Sequence, residues 1–279
     1  MDVVDIFEDA LFAVFEHHQP AHGDPGAEQE YVHACLPPWC ALGARRGFRF
    51  RIPAQSAQNT HLFAHYQWDA GAYLADLVAD GAVDVRGRRI VELGAGTALP
   101  SLAAAAQGAS VAVATDYPDP DVLAGMARNA ALLCEMHPAR TLPLRTAALA
   151  WGDAAHADAL RADGPFDVVL AADVLWVSSQ HAALLRSVAA LLAAGGQFVL
   201  VAGFHTGRPA ITRFLRRAAA AGLVPDESAA FGGLYERSFQ GAVRAWQGAA
   251  LDRDDDEEMG DVGERAKWVV VATLRRAGA

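Results

Sequence analysis

At 279 residues, 53% of them hydrophobic, the chain can bury one large core, and no apolar run reaches the roughly 18 residues of a membrane span. The formal net charge is −10 with Lys267 the single lysine, which disfavours a nucleic-acid backbone as partner and suits a basic protein segment. Cys35, Cys40 and Cys134 match no zinc spacing, and the acidic start MDVVDIFEDA has no basic n-region; both point to a soluble, cytoplasmic chain with free thiols.

Residues 1 to about 18 read as an acidic amphipathic helix with Ile6, Leu11, Phe12, Val14 and Phe15 apolar, followed by a Pro- and Gly-rich loop. Phe48, Phe50 and Ile52 alternate with polar neighbours and predict a strand. The stretch 61–81 has helical spacing, with Gly81 just past its end. Residues 1–60 are thus expected to form an N-terminal extension, and 61–279 one domain. From RRIVELGAG at 88–96 the chain alternates short apolar strands with helices: SVAVATD, a helix over 121–135, LPLRTAALAWG, FDVVLAAD, a helix over 181–196, QFVLVAGF, and a helix from Ile211. That alternation predicts an α/β fold around a mostly parallel sheet. Two final strand-like runs, 231–246 and 266–276, flank an acidic loop at 252–261. With no helix between them, they predict an antiparallel last strand.

The segment Glu92-Leu93-Gly94-Ala95-Gly96-Thr97-Ala98-Leu99-Pro100 places two glycines at a strand-to-helix turn, where backbone can approach a ligand closely. A dinucleotide fingerprint wants a third glycine, and Leu99 stands there. Glu92 would repel a pyrophosphate but could hold an ammonium. Asp116 ends the next strand, about twenty residues on, where a carboxylate accepts bonds from ribose hydroxyls; the rival reading is a helix cap. Trp151 offers a flat face to adenine, or is a core residue. Asp173 ends a third apolar strand, where it faces an open site or caps a helix.

HYQWDAG at 65–71, VELGAGTALPS at 91–101, TDYPDP at 115–120, LAWG at 149–152, ADVLW at 172–176 and FHTGRP at 204–209 together resemble the seven-β-strand protein lysine methyltransferase family. Within it the likeness is to the fungal nicotinamide N-methyltransferase-like group, which acts on the N terminus and lysines of elongation factor 1-alpha. The resemblance implies a Rossmann-like class I methyltransferase fold with seven strands, and S-adenosylmethionine as cofactor. It implies that Trp68 lines the cofactor pocket, Gly94, Ala95 and Gly96 cradle the methionine part, Asp116 holds the ribose and Trp151 the adenine. Tyr117, beside Asp116, is grouped with these residues, and Ala172 lends a backbone contact. Asp173 is implied as the catalytic residue, placing the acceptor amine near the methyl. Trp176 stands where relatives carry Phe or Tyr, and FHTGRP replaces a His-His-Arg-Pro-like segment; both departures fall on the substrate side.

The expected partner is a protein substrate, elongation factor 1-alpha, met by a monomer with no nucleic acid, membrane or metal involved. A small-molecule N-methyltransferase, a non-catalytic cofactor-binding scaffold and, more distantly, an NAD-dependent oxidoreductase are the alternatives. His205 reads as a structural histidine or as a general base.

Overall fold

The computed structural model describes residues 21–54, 66–248 and 267–278. The expected helix at 1–18 and the acidic loop at 252–261 lie outside those residues. The chain opens with the short strands β1 (Ala21–His22), β2 (Glu28–Val32), β3 (Ala41–Leu42), β4 (Arg45–Arg51) and β5 (Gln67–Trp68). Helix α1 (Asp69–Ala79) follows, and from β6 (Arg89–Leu93) the alternation sets in: α2 (Leu99–Ala106), β7 (Val111–Asp116), α3 (Pro120–Met136), β8 (Leu144–Ala148) and α4 (Ala154–Arg161). It continues through β9 (Phe166–Ala172), α5 (His181–Leu191), β10 (Leu192–Gly203) and α6 (Gly207–Ala220). The chain ends with β11 (Leu223–Pro225), β12 (Leu234–Ser238), β13 (Val243–Ala245) and β14 (Trp268–Arg276).

The large sheet has the order β13-β12-β14-β10-β9-β6-β7-β8, with β11 also on β14. Strands β8, β7, β6, β9 and β10 pair in parallel, whereas β14 runs antiparallel between β10 and β12. This is the Rossmann-like arrangement with a reversed last strand that the sequence predicted, widened from seven strands to nine by β11 and β13. The strands are apolar at nearly every position because consecutive residues feed opposite cores. Ile90, Val168, Val199 and Val269 join Leu74 of α1 and Leu102 of α2 on one face. Val91, Val169, Leu200 and Val270 join Leu184 of α5 and Phe214 of α6 on the other.

The described residues of 21–54 share the first of these cores. Strands β2, β4 and β3 form a small antiparallel sheet that buries Tyr31, Phe48, Phe50 and Ile52 in the cluster holding Leu74 and Leu102. Three local readings need correction. Gln67 and Trp68 form a two-residue strand paired with Ala21 and His22 rather than helix, and the described helix begins only at Asp69. The helix expected to reach 196 stops at Leu191, because Leu192 turns extended and Gly195 adopts φ +73°. Helix α4 has no counterpart in the sequence reading, since Ala157 and Leu160 are its only buried residues and so narrow an apolar stripe gives little periodic signal. Gly81 does end α1, with φ +78°.

Asn129 of α3, fully buried, ties the small sheet to the large one. Its Oδ1 accepts from Arg51 N–H at 2.7 Å, and its Nδ2 donates to Arg51 O at 2.8 Å and Thr97 O at 2.9 Å. Asn129→Ala leaves those buried backbone groups unpaired and should cost about 2–4 kcal/mol. The measurement is the urea midpoint at unchanged m-value; a loss under about 0.5 kcal/mol would show that the bridge is dispensable.

Candidate functional site

The ends of β6, β7 and β9 converge on one cavity. After β6 the backbone takes positive φ at Gly94 (+70°), Gly96 (+50°) and Ala98 (+63°), which opens α2. A Cβ at Gly94 would lie 2.8 Å from Val174 Cγ1 and 3.2 Å from Trp151 Cζ2, so glycine is required by packing as well as by φ. A Cβ at Gly96 would meet nothing within 4 Å, so the space beside that residue is open.

Two carboxylates hold this turn. Asp116 Oδ2 accepts from Gly96 N–H at 2.8 Å and Oδ1 from Tyr117 N–H at 2.7 Å. It does not cap α3; Asp119 does, accepting from Asp121 and Val122 N–H at 3.0 and 3.1 Å. Burial pushes the Asp116 carboxyl above its usual range despite the two amide bonds. Glu92 Oε2 accepts from Ser101 N–H at 2.9 Å and Ser101 Oγ–H at 2.6 Å, while Oε1 takes no hydrogen bond among the described residues. Burial pushes Glu92 up to about 8, and the Ser101 bonds only partly offset it. From the other side Thr97 Oγ1 donates to Gln67 Oε1 at 2.5 Å. Gly71 leaves room for that amide, since a Cβ there would stand 2.8 Å from Gln67 Nε2.

Asp173 follows β9 in the left-handed region, φ +57°, an uncommon conformation for a residue other than glycine. The end of β10 and the loop after it pin it: its N–H donates to Val201 O at 2.8 Å, Oδ1 accepts from Gly203 N–H at 2.9 Å, and Oδ2 accepts from His205 Nε2–H at 2.8 Å. Trp68 stands edge-on to His205 at 5.4 Å between centroids, and Tyr66 lies at the same distance from Trp68.

Trp68, Glu92, Gly94, Ala95, Gly96, Asp116, Tyr117, Trp151, Ala172 and Asp173 all line this cavity, which measures about 490 Å³. The sequence reading left out Gln67 and Thr97, which also line it; Gln67 sits inside the HYQWDAG stretch and could have been found there. The lining contains three carboxylates, Glu92, Asp116 and Asp173, and no lysine or arginine among the described residues.

Two other clusters serve structure. Glu236, fully buried, accepts from Arg208 at 2.9 and 2.7 Å and from Arg244 at 2.8 Å. Burial pushes its carboxyl up, but the two guanidiniums outweigh that and hold it below the usual range. The FHTGRP segment is thereby fixed by its arginine. His33, Cys35 and Asp80 bring ligand-type atoms within 4.8 Å of one another. His33 Nδ1 already accepts from Cys35 N–H, and Nε2 lies 3.4 Å from Asp80. The three cysteines are free thiols, and no described helix is long and apolar enough to cross a membrane.

Residues 54–220 match the lysine methyltransferase family. A protein N-terminal and lysine N-methyltransferase of Yarrowia lipolytica is 31% identical over 175 residues, 58% of this chain and 63% of that one. Its counterpart in Candida glabrata is 31% identical over 182 residues, 63% of this chain and 70% of that one. The chain therefore spans a little under two thirds of the first relative. Among solved structures, a candidate SAM-dependent methyltransferase from Streptococcus mutans superposes with a TM-score of 0.51 at 12% identity, over 82% of this chain and 53% of that one; the likeness is one of fold.

The raised Glu92 has a consequence for stability. Its folded value near 8 lies above the ordinary glutamate value of 4.5, so the unfolded chain loses this proton first and stability falls as pH rises from about 4.5 to about 8, then levels. Glu92→Gln removes that term. The ligand-free wild type should lose melting temperature relative to the variant across that window, read by thermal scans from pH 5 to 9; parallel curves would contradict the assignment.

Proposed function

The chain belongs to the lysine methyltransferase family, and we propose that it is an S-adenosylmethionine-dependent enzyme that methylates a protein amine, N-terminal or lysine. The observation that carries this reading is the acidic lining of the cavity: three carboxyl side chains and no lysine or arginine in the described lining. Such a site suits a cationic ligand without phosphate and repels a pyrophosphate. S-adenosylmethionine, with an ammonium, a sulfonium and no phosphate, fits; NAD does not. The open space beside Gly96 and the unbonded Oε1 of Glu92 fit the same ligand.

Glu92 would take the ammonium of the cofactor, and the Gly94–Gly96 backbone its methionine part. Asp116 would hold the ribose with Tyr117 beside it; each of its oxygens keeps a lone pair beyond its amide bond. Trp151 would face the adenine, with Trp68 and Ala172 completing the wall. When bound, the cofactor supplies an electrophilic methyl group on sulfur. The protein's part is to orient and desolvate an acceptor amine in line with it. Asp173, enclosed at the end of β9, orients that amine. Elongation factor 1-alpha is the candidate acceptor, which the sequence resemblance names, and the cytoplasm the setting. The chemistry of the site applies to any basic protein segment that presents an amine.

Calorimetric titration with S-adenosylmethionine, S-adenosylhomocysteine and NAD tests the cofactor. Both sulfur nucleotides should bind, NAD should not, and Asp116→Ala should weaken binding at least tenfold, about 1.4 kcal/mol. Asp173→Asn should leave cofactor affinity within about twofold and cut methyl transfer to elongation factor 1-alpha by about 100-fold. Binding of NAD alone would refute the reading, and nicotinamide as the only methylated acceptor would turn it to a small-molecule enzyme.

A further inference from the structure

We infer that Glu236 is a positioning residue for the acceptor end of the cavity: through Arg208 it sets the segment that holds the Asp173 carboxylate. This rests on the amine-methylation reading above. Glu236 and its second partner Arg244 lie beyond residues 54–220, the stretch that matches the family, and neither lines the cavity.

Asp173 has a left-handed backbone at φ +57°, a conformation that persists only where surrounding bonds over-determine it. Val201 O and Gly203 N–H, both of β10, supply part of that restraint. The rest comes from His205, whose Nε2–H donates to Asp173 Oδ2 at 2.8 Å from the segment between β10 and α6. That segment gives α6 no side-chain cap and turns through Gly207 at φ +80°. Its course is therefore set by how its two ends are anchored.

Both ends lead to Glu236. Phe204, just before His205, is 1% exposed and stacks on Trp246 at 6.1 Å between centroids. Arg208 lays its guanidinium 4.5 Å over the Phe204 ring and donates Nε–H and Nη2–H to the two Glu236 oxygens at 2.9 and 2.7 Å. Glu236 stands opposite Arg244 across β12 and β13, accepting from its Nε–H at 2.8 Å and from Gln247 N–H at 3.2 Å. Phe204 and Arg208 thus bracket His205, and a bidentate arginine fork fixes orientation as well as distance.

Stability alone gives no reason for a charge at this place. Val270, the neighbour of Glu236 on β14, belongs to the apolar cluster of Phe204 and Phe214, with Trp246 and Trp268 packed against it. The Glu236 side chain is 0% exposed there. A buried ion pair in such surroundings is often no more stable than apolar side chains of similar volume. Apolar packing lacks direction, and the carboxylate supplies it: it gives Arg208 one orientation, Arg208 and Phe204 give His205 one, and His205 holds Asp173. Methyl transfer is in line, so a small displacement of the group that orients the amine costs a large factor in rate.

The test is a double-mutant cycle on the full chain. Glu236→Gln keeps the shape and removes the charge that holds the two arginines. It should lower kcat on elongation factor 1-alpha about tenfold or more, with affinity for S-adenosylhomocysteine within about twofold of wild type by calorimetry. In an Asp173→Asn background the same change should cost less than about twofold, because both act through one contact. Equal losses in the two backgrounds, or cofactor affinity falling with kcat, would overturn the inference. Amide exchange gives a readout without turnover, since Gly203 N–H rests on Asp173 Oδ1 and Gly96 N–H on Asp116 Oδ2. Glu236→Gln should speed exchange at Gly203 about tenfold or more and leave Gly96 within about twofold; matched acceleration at both would mean a general loss of stability and overturn the assignment. If Glu236→Gln does not fold, Arg208→Lys serves with the same expectations, because it keeps the charge and loses the fork. Selective acceleration at Gly203 in a protein whose wild type binds no sulfur nucleotide would count against the function reading and leave the placement of Asp173 by Glu236 standing.

Discussion

Buried acidic side chains at the glycine turn organise this protein. Glu92 and Asp116 stand at the ends of adjacent parallel strands, Glu92 buried and Asp116 half-buried, and each accepts from the turn that joins β6 to α2: Asp116 from Gly96 N–H, Glu92 from Ser101 in the first turn of α2. Backbone amides at a helix start are the donors best suited to a carboxylate, yet here they do not compensate for burial, and both groups sit above their ordinary values. The turn is thus held in shape by acidic groups whose ionised forms burial disfavours. On the proposed function, a ligand carrying an ammonium would favour their ionised forms.

The turn is also braced from outside the sheet. Thr97 is gripped by Gln67 through its hydroxyl and by Asn129 through its carbonyl. Asn129 in turn holds Arg51 of β4, so the small N-terminal sheet, packed through Phe48, Phe50 and Ile52, reaches the cavity through two hydrogen-bonded steps. The backbone that lines the cavity is thereby fixed by side chains far apart in sequence. Gly71 belongs to the same device, since a side chain there would push Gln67 away.

At the opposite wall the structure accepts strain. Asp173 adopts a positive φ that costs a non-glycine residue of order 1–3 kcal/mol, and bonds to Val201, Gly203 and His205 keep it there. The conformation turns the carboxylate from the end of β9 towards the loop after β10, where it meets the imidazole. A relaxed residue would continue the strand direction and leave His205 without its partner.

The sequence by itself determined the fold class, the position of the glycine turn and the strand-end carboxylates, because these follow from local causes: apolar runs buried on two faces, and glycine where the backbone needs positive φ or close approach. The residues it named line one cavity, and those that follow β6, β7 and β9 do so because strand ends in a parallel sheet lie at one edge. It could not decide between a ribose-facing and a helix-capping Asp116, because Asp119 three residues later competes for the cap and only the fold shows which carboxylate takes it. It missed α4, whose two buried residues carry no periodicity, and the roles of Gln67 and Asn129, whose partners are 30 and 32 residues away. Above all it did not show that His205 meets Asp173. That 2.8 Å contact spans 32 residues of chain, and it exists only once β9 and β10 are laid side by side.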